Sequence, residues 1–248
     1  MRADWDQLEG RNIVIEALRR EVRDVHVIFL DQKAKPDRKV QEIVHTASKR
    51  GIRLKRTGRQ HLDKMSLTGV HNGVIAHADS LRGWTTKSLL NEVMGRGDDP
   101  FFVLADELQY EHNLGAILRS AMGAGVNGVI VPVKRGKGLT AVVQRVSMGG
   151  AEVVPFVREG LSSSLAQLKR AGLRIVGADM RGEPHWSVDL KGPIAIVLGG
   201  ESKGLSPTIR KRCDAIASIP LNDGLDSLNV SVSAGILMFE KLRQERLS

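Results

Sequence analysis

Cysteine is almost absent: Cys213 is the only one in 248 residues. No internal disulfide is available, and so sparse a thiol content fits a reducing, cytoplasmic setting. Aromatic residues are also scarce, at 4% with a single tyrosine, which argues against a chain built purely to stack single-stranded bases. No apolar run approaches the roughly 20 residues of a membrane-crossing helix, so no membrane partner is expected. The opening Met1-Arg2-Ala3-Asp4-Trp5-Asp6 lacks the apolar stretch of a secretory signal. Seven histidines without helical pairing to a carboxylate, and one cysteine, do not build a zinc site; no metal is expected.

What is present is an ordinary globular balance, 42% hydrophobic and 26% charged, with a formal net charge of +9. An excess of this size favours a polyanionic partner, because Lys and Arg displace counterions condensed on a phosphate backbone. Simple solubility accounts for it equally well.

The chain changes character near residue 100. Before it, Asn12–Arg19 and Arg38–Lys49 have helical patterning, and Val25–Leu30, Ile52–Lys55 and Gly73–His77 are strand-like. Lys33, Lys35, Arg38, Lys39, Lys49, Arg50, Arg53, Lys55, Arg56 and Arg59 give this part a basic side. A small α/β domain over residues 1–78 is expected, then a linker over 79–100 holding one helix, Lys87–Met94. The turn-forming run Gly95-Arg96-Gly97-Asp98-Asp99-Pro100 marks the boundary.

Beyond it, Phe101–Ala105, Gly128–Val133, Glu152–Phe156, Leu173–Ala178, Ile194–Leu198 and Ala215–Ile219 are apolar runs of strand length. Helical segments separate most of them, and Ser227–Arg243 forms a long terminal helix. Buried strands alternating with helices predict a parallel sheet covered on both faces over 101–248.

Two glycine-rich strings mislead. Gly123-Ala124-Gly125-Val126-Asn127-Gly128 fits the dinucleotide pattern but follows a helix and enters a strand, the reverse of the order required. It is a helix end and a turn. Gly199-Gly200-Glu201-Ser202-Lys203-Gly204-Leu205-Ser206 comes within one residue of a Walker A loop, but Leu205 stands where its lysine belongs. This disfavours a nucleotide-hydrolysing protein. Basic neighbours of Cys213 are of the kind that depress a thiol pKa, yet no histidine is near in sequence, and a packed structural cysteine is the better reading.

Three segments put polar groups at the carboxyl ends of buried strands, where open α/β sheets bind ligands. They are Asn113-Leu114-Gly115-Ala116-Ile117-Leu118-Arg119-Ser120-Ala121, the string Val197 to Ser206, and Ile219-Pro220-Leu221 followed by Ser227-Leu228-Asn229-Val230-Ser231-Val232-Ser233-Ala234-Gly235. Asn113, Arg119, Glu201 and Asn229 are expected to border one polar cleft. On a purely structural reading, Asn113 and Ser227 are helix caps and Arg119 pairs with Glu201.

These three segments resemble, in order and spacing, the motifs of SpoU/TrmH methyltransferases of the SPOUT class. Gly10-Arg11-Asn12 with Glu16-Ala17-Leu18, and Gly69-Val70-His71-Asn72-Gly73-Val74-Ile75-Ala76, are similar to the ribosomal-protein-like RNA-binding domain of RlmB-type enzymes. The resemblance implies a C-terminal trefoil knot, a homodimer, and S-adenosylmethionine as cofactor. It implies 2′-O-methylation of a ribose in RNA, a guanosine of large-subunit rRNA first. A tRNA target, and a silent RNA-binding protein of the same fold, are the alternatives. It further implies that Leu198, Gly199, Gly200, Ile219, Leu221 and Leu228 hold the cofactor. Arg119, Asn113, Glu201, Ser227 and Asn229 would surround the reacting ribose, with Arg119 acting on its 2′-hydroxyl. The family has Asp-Pro before the first asparagine; this chain has Tyr110-Glu111-His112.

Overall fold

A computed structural model describes residues 5–134, 136–200, 204–222 and 226–247. The first third of the chain runs β1 (Trp5–Glu9), α1 (Arg11–Arg20), β2 (Val25–Asp31), α2 (Arg38–Lys49), β3 (Arg53–Thr57), α3 (Arg59–Met65) and β4 (Val74–Asp79). It continues with α4 (Thr86–Gly95), β5 (Phe101–Ala105), α5 (Glu111–Ala124), β6 (Gly128–Val131), α6 (Ala141–Val146), α7 (Gly150–Val153) and β7 (Phe156–Arg158). The last part is α8 (Leu161–Arg170), β8 (Arg174–Pro184), β9 (Ile194–Leu198), α9 (Pro207–Arg210), β10 (Ala215–Ser218) and α10 (Val230–Arg246). The chain forms two compact units, one from residues 1–82 with 139–153, the other from 83–138 with 154–248.

The first unit is a four-stranded sheet in the order β1-β4-β2-β3, antiparallel except between β2 and β3. Strand alternation sends Leu8, Ile28, Leu30, Val74, Ala76 and Ala78 into one core with Ile13, Val14 and Leu18 of α1 and Val40, Ile43 and Ala47 of α2. The spacing of the α2 residues is that of a helix with one apolar stripe, and its first turn is closed by Asp37, whose side chain accepts from the Val40 N–H.

Residues 139–153 complete this unit, although they lie between two strands of the other. Arg23 is 1% and Glu152 0% exposed, and the two form an ion pair. The Arg23 guanidinium also donates to Asp6 at 2.8 Å and to Gln144 at 2.8 Å. Burial pushes the Glu152 carboxyl above its ordinary value, against the pull of Arg23. An expected strand over Glu152–Phe156 is therefore not formed there. Glu152 belongs to α7, and the strand begins at Phe156, because tertiary pairing of the carboxylate outweighs the apolar neighbours Val153 and Val154.

The second unit is a six-stranded, wholly parallel sheet in the order β10-β8-β9-β5-β6-β7. Every residue of β5 and β9 is buried, as a sheet covered on both faces requires. One face packs Phe102, Leu104, Ile130, Ala195 and Val197 under Leu89, Leu90 and Val93 of α4 and Leu161, Leu165 and Leu168 of α8. The stretch expected as a linker thus contributes α4 to this core. The helix is opened by Thr85, which accepts from the Ser88 N–H while the Ser88 hydroxyl accepts from the Thr85 N–H. Helices α5 and α10 pack together closely: a Cβ at Gly123 would sit 3.3 Å from the Phe239 ring. Gly125, at φ 73°, ends α5 in the left-handed conformation, so the first misleading glycine string is the helix end read from its order. No helix among the described residues is long and apolar enough to cross a membrane.

Candidate active site at the strand ends

Parallel strands β5 and β9 lie side by side and deliver their carboxyl ends to one edge. The Asp106 N–H donates to the Leu198 carbonyl at 3.0 Å, tying the two exits together. Leu198 is buried as the last residue of β9, and Gly199 and Gly200 follow half-buried in the turn.

The turn is very tight. Gly200 and Gly204 exchange backbone hydrogen bonds at 2.9 and 3.0 Å. A Cβ on Gly199 would lie 2.3 Å from the Gly204 carbonyl carbon, and one on Gly200 would lie 3.0 Å from the Glu107 Cβ. Only glycine lets this backbone close on itself and against the β5 exit, and the result is a turn lined by glycine rather than by side chains. That geometry suits a ligand held by backbone contacts. Glu201, Ser202 and Lys203 lie outside the described residues, so the expected position of Glu201 beside Arg119 does too.

The following chain is anchored to the same edge. Ser206 N–H donates to the Asp106 carboxylate at 3.4 Å, and Leu205 is buried in the sheet core. Asp106 and Glu107 were not among the residues singled out from sequence. Their position directly after a buried strand is the signal that marks them.

Helix α5 carries Asn113 and Arg119. The purely structural reading, Asn113 as a cap, does not hold: Tyr110 occupies that position without a side-chain hydrogen bond, and the helix starts at Glu111. Asn113 sits inside the first turn, 8% exposed, and its side-chain oxygen accepts from the Asn229 amide at 3.0 Å. Glu111 stands at the first helical position, where a carboxylate is favoured by the helix dipole. The departure therefore leaves the start of α5 in place. Arg119 is exposed and forms no ion pair with any described residue.

The third segment completes the site. Ile219 and Leu221 are half-buried just after β10, and Leu228 is half-buried just before α10. Ser227 is exposed and lies before the helix, so it is no cap. Asn229 takes that role: its side-chain oxygen accepts from the Ser231 N–H at 2.9 Å and from the Ser231 hydroxyl at 2.6 Å. One asparagine thus caps α10 with its oxygen and reaches α5 with its nitrogen.

Cys213 stands apart from this edge. It packs against the core with its thiol bonded to the Ile209 carbonyl. Burial first, and Asp214 second, push its pKa up to about 11, so the basic neighbours do not activate it.

Two family profiles cover almost the whole chain. The SpoU rRNA methylase family matches residues 100–239, and the RNA 2′-O ribose methyltransferase substrate-binding family matches residues 7–84. The chain belongs to the SpoU rRNA methylase family. It is 38% identical over 216 residues to the 23S rRNA (guanosine-2′-O-)-methyltransferase RlmB of Shewanella oneidensis, covering 86% of this chain and 87% of that one. To RlmB of Pseudomonas aeruginosa it is 36% identical over 245 residues, 98% of each. The crystal structure of an RNA 2′-O ribose methyltransferase superposes with a TM-score of 0.81 at 26% identity, covering 99% of this chain and 90% of the other. The methyltransferase AviRb from Streptomyces viridochromogenes, solved with AdoMet, shares the fold with a TM-score of 0.81 at 24% identity, covering 100% and 93%. The chain is accordingly an RNA methyltransferase, with the expected parallel-sheet domain and a smaller substrate-binding α/β domain.

Proposed function

We propose that this enzyme transfers a methyl group from S-adenosylmethionine to the ribose 2′-oxygen of a guanosine in large-subunit rRNA. The observation that carries the reading is the Asn229–Asn113 hydrogen bond, which joins the first and third motif segments across 116 residues at one sheet edge. The relatives named above, which act on a 23S rRNA guanosine, support the choice of target.

When bound, the cofactor supplies an activated sulfonium methyl, which leaves the protein to align the acceptor and assist loss of its proton. The residues present fit such a group: the cradle at Gly199 and Gly200 excludes any side chain, and Leu198, Ile219, Leu221 and Leu228 give it apolar walls and backbone partners. Asn113 and Asn229 position the ribose, with Ser227 beside them. Arg119 donates to the developing alkoxide or the neighbouring phosphate. A guanidinium keeps its proton up to about pH 12, so donation suits it better than abstraction, and Glu201 would orient it.

The reading extends to assembly and place. Val232 and Phe239 of α10 are 50% and 47% exposed, which supports a homodimer formed through this helix. The trefoil knot would be made by the turn after β9 and the segment after β10. A cytoplasmic location follows from an rRNA substrate. Mapping 2′-O-methyl sites in rRNA and tRNA, with and without the gene, tests the target. Loss of one large-subunit guanosine methyl is expected, and loss confined to tRNA would replace this target with the other.

A further inference from the structure

The sheet of the first unit has two unlike faces. One is sealed by α1 and α2. The other carries the alternate residues: Trp5, Gln7 and Glu9 of β1, Ile75, His77 and Asp79 of β4, Val27 and Phe29 of β2, and Arg53 and Lys55 of β3. Among the described residues, helix α3 and the chain after it close one end of this second face. There Gln7 donates to the Met65 carbonyl at 2.9 Å, and the Glu9 carboxylate accepts from Ser66, Leu67 and Thr68.

At the other end, rings gather. Trp5 stacks on His26 with centroids 4.3 Å apart and planes 17° apart. His77 lies 6.3 Å from Trp5 and 5.4 Å from Phe29, edge-on to the latter. All four rings are half-buried, each packed on its neighbours yet still partly open. Burial holds the His77 imidazole below its ordinary value, so at neutral pH it is an uncharged ring.

Cations flank the rings on the sheet's edge strand. The Lys55 ammonium sits 5.5 Å above the Phe29 ring, a cation–π contact. Arg53 and Lys55 are both exposed and make no ion pair with any described residue. The acid nearest the rings, Asp79, is held by His26 at 2.6 Å.

We propose that this face binds an unpaired stretch of the RNA substrate, its bases stacking against Phe29, His77 and Trp5 while Arg53 and Lys55 hold the phosphates. Any base can stack on a ring, and a duplex hides that face, so the selectivity is for single strands over helices. The proposal rests on the enzyme acting on RNA, and adds where the substrate-binding unit grips it and in what form.

The test uses the full chain with Trp84→Phe and Trp186→Phe, which leaves Trp5 as its only tryptophan. A mixed-sequence single-stranded RNA of about eight nucleotides is expected to quench Trp5 emission on titration, and the same RNA in a duplex to bind at least tenfold more weakly. Phe29→Ala should weaken single-strand binding about five- to a hundredfold, the range for losing one stacked base. Lys55→Ala should lower the slope of log affinity against log salt by about 0.7, the value for one phosphate contact on a single strand. Lys55 is exposed, so this arm stands even if Phe29→Ala fails to fold. Equal affinity for single strand and duplex, an unmoved Trp5 emission, or unaltered salt dependence in Lys55→Ala would each overturn the proposal. A change in sedimentation by Phe29→Ala with RNA affinity intact would assign the face to a second copy of the chain instead. Calorimetry with S-adenosylmethionine on the same protein reads the other unit: failure there strikes the proposed reaction, while failure of the RNA arms alone strikes this inference.

Discussion

The side-chain amide of Asn229 donates to the side-chain oxygen of Asn113 at 3.0 Å, while its own oxygen caps α10 through Ser231. Removing that side chain takes away both. For Asn229→Ala, loss of the cap is expected to cost about 1 kcal/mol, lowering Tm by about 2–4 °C in a chain of this size. Loss of the link to Asn113 should reduce single-turnover methyl transfer about tenfold or more, since small misplacements of an acceptor are costly. A normal rate in a less stable protein would confine Asn229 to capping.

Arg119 is exposed, so Arg119→Ala should leave Tm nearly unmoved. Methyl transfer should fall at least about a hundredfold, the low end for losing an acid–base or oxyanion group. Cofactor affinity should persist, because the contacts proposed for the cofactor lie at the Gly199 turn and not at Arg119. Arg119→Lys is expected to rescue poorly, as a point charge does not reproduce the guanidinium fork. A near-normal single-turnover rate in Arg119→Ala would remove its catalytic role.

Gly199→Ala meets the Gly204 carbonyl carbon at 2.3 Å, a contact that backbone has to move to relieve. Binding of S-adenosylmethionine should be lost or reduced more than tenfold by calorimetry, while the sheet, anchored by Leu198 and Leu205, keeps its cooperative melting. Retained affinity would show that this turn does not hold the cofactor.

Acid should erode stability through Glu240. The Arg243 guanidinium, at 2.7 and 2.8 Å, and then Gln244, hold its carboxyl at about 2, against an ordinary 4.5. A lowered carboxylate pKa contributes stability above the unfolded value, and that contribution drains away as pH falls from about 4.5 toward 2. The difference in Tm between the parent and Glu240→Gln, present at pH 7, should therefore close over that window. A difference independent of pH would mean that charge at Glu240 is not the source.

Much of the second unit could be read from residue order, because its strands are buried on both faces and show as unbroken apolar runs, Phe101–Ala105 and Ile194–Leu198 among them. The limits of α2 were legible for a related reason: the Asp37 cap and the spacing of Val40, Ile43 and Ala47 are both local. Strand β1 was missed, since Trp5-Asp6-Gln7-Leu8-Glu9 has a single apolar core residue, Leu8, and gains its strand character from pairing with β4. The strand expected over Glu152–Phe156 was misplaced because the contact that decides it, Glu152 with Arg23, spans 129 residues.

The sequence alone determined the class of sheet, the two-part layout and the family, since each depends on short-range periodicity or contiguous motif strings. Tertiary structure decided which residues meet. It joined Asn113 to Asn229 by a direct hydrogen bond rather than leaving it a helix cap, and it buried Cys213 so that its pKa rises despite the basic neighbours. It also drew a few scattered rings, Trp5, His26, Phe29 and His77, onto one sheet face. The physical reason is the same in each case: side-chain direction, burial and pairing over a hundred residues are set by packing, and no local pattern encodes them.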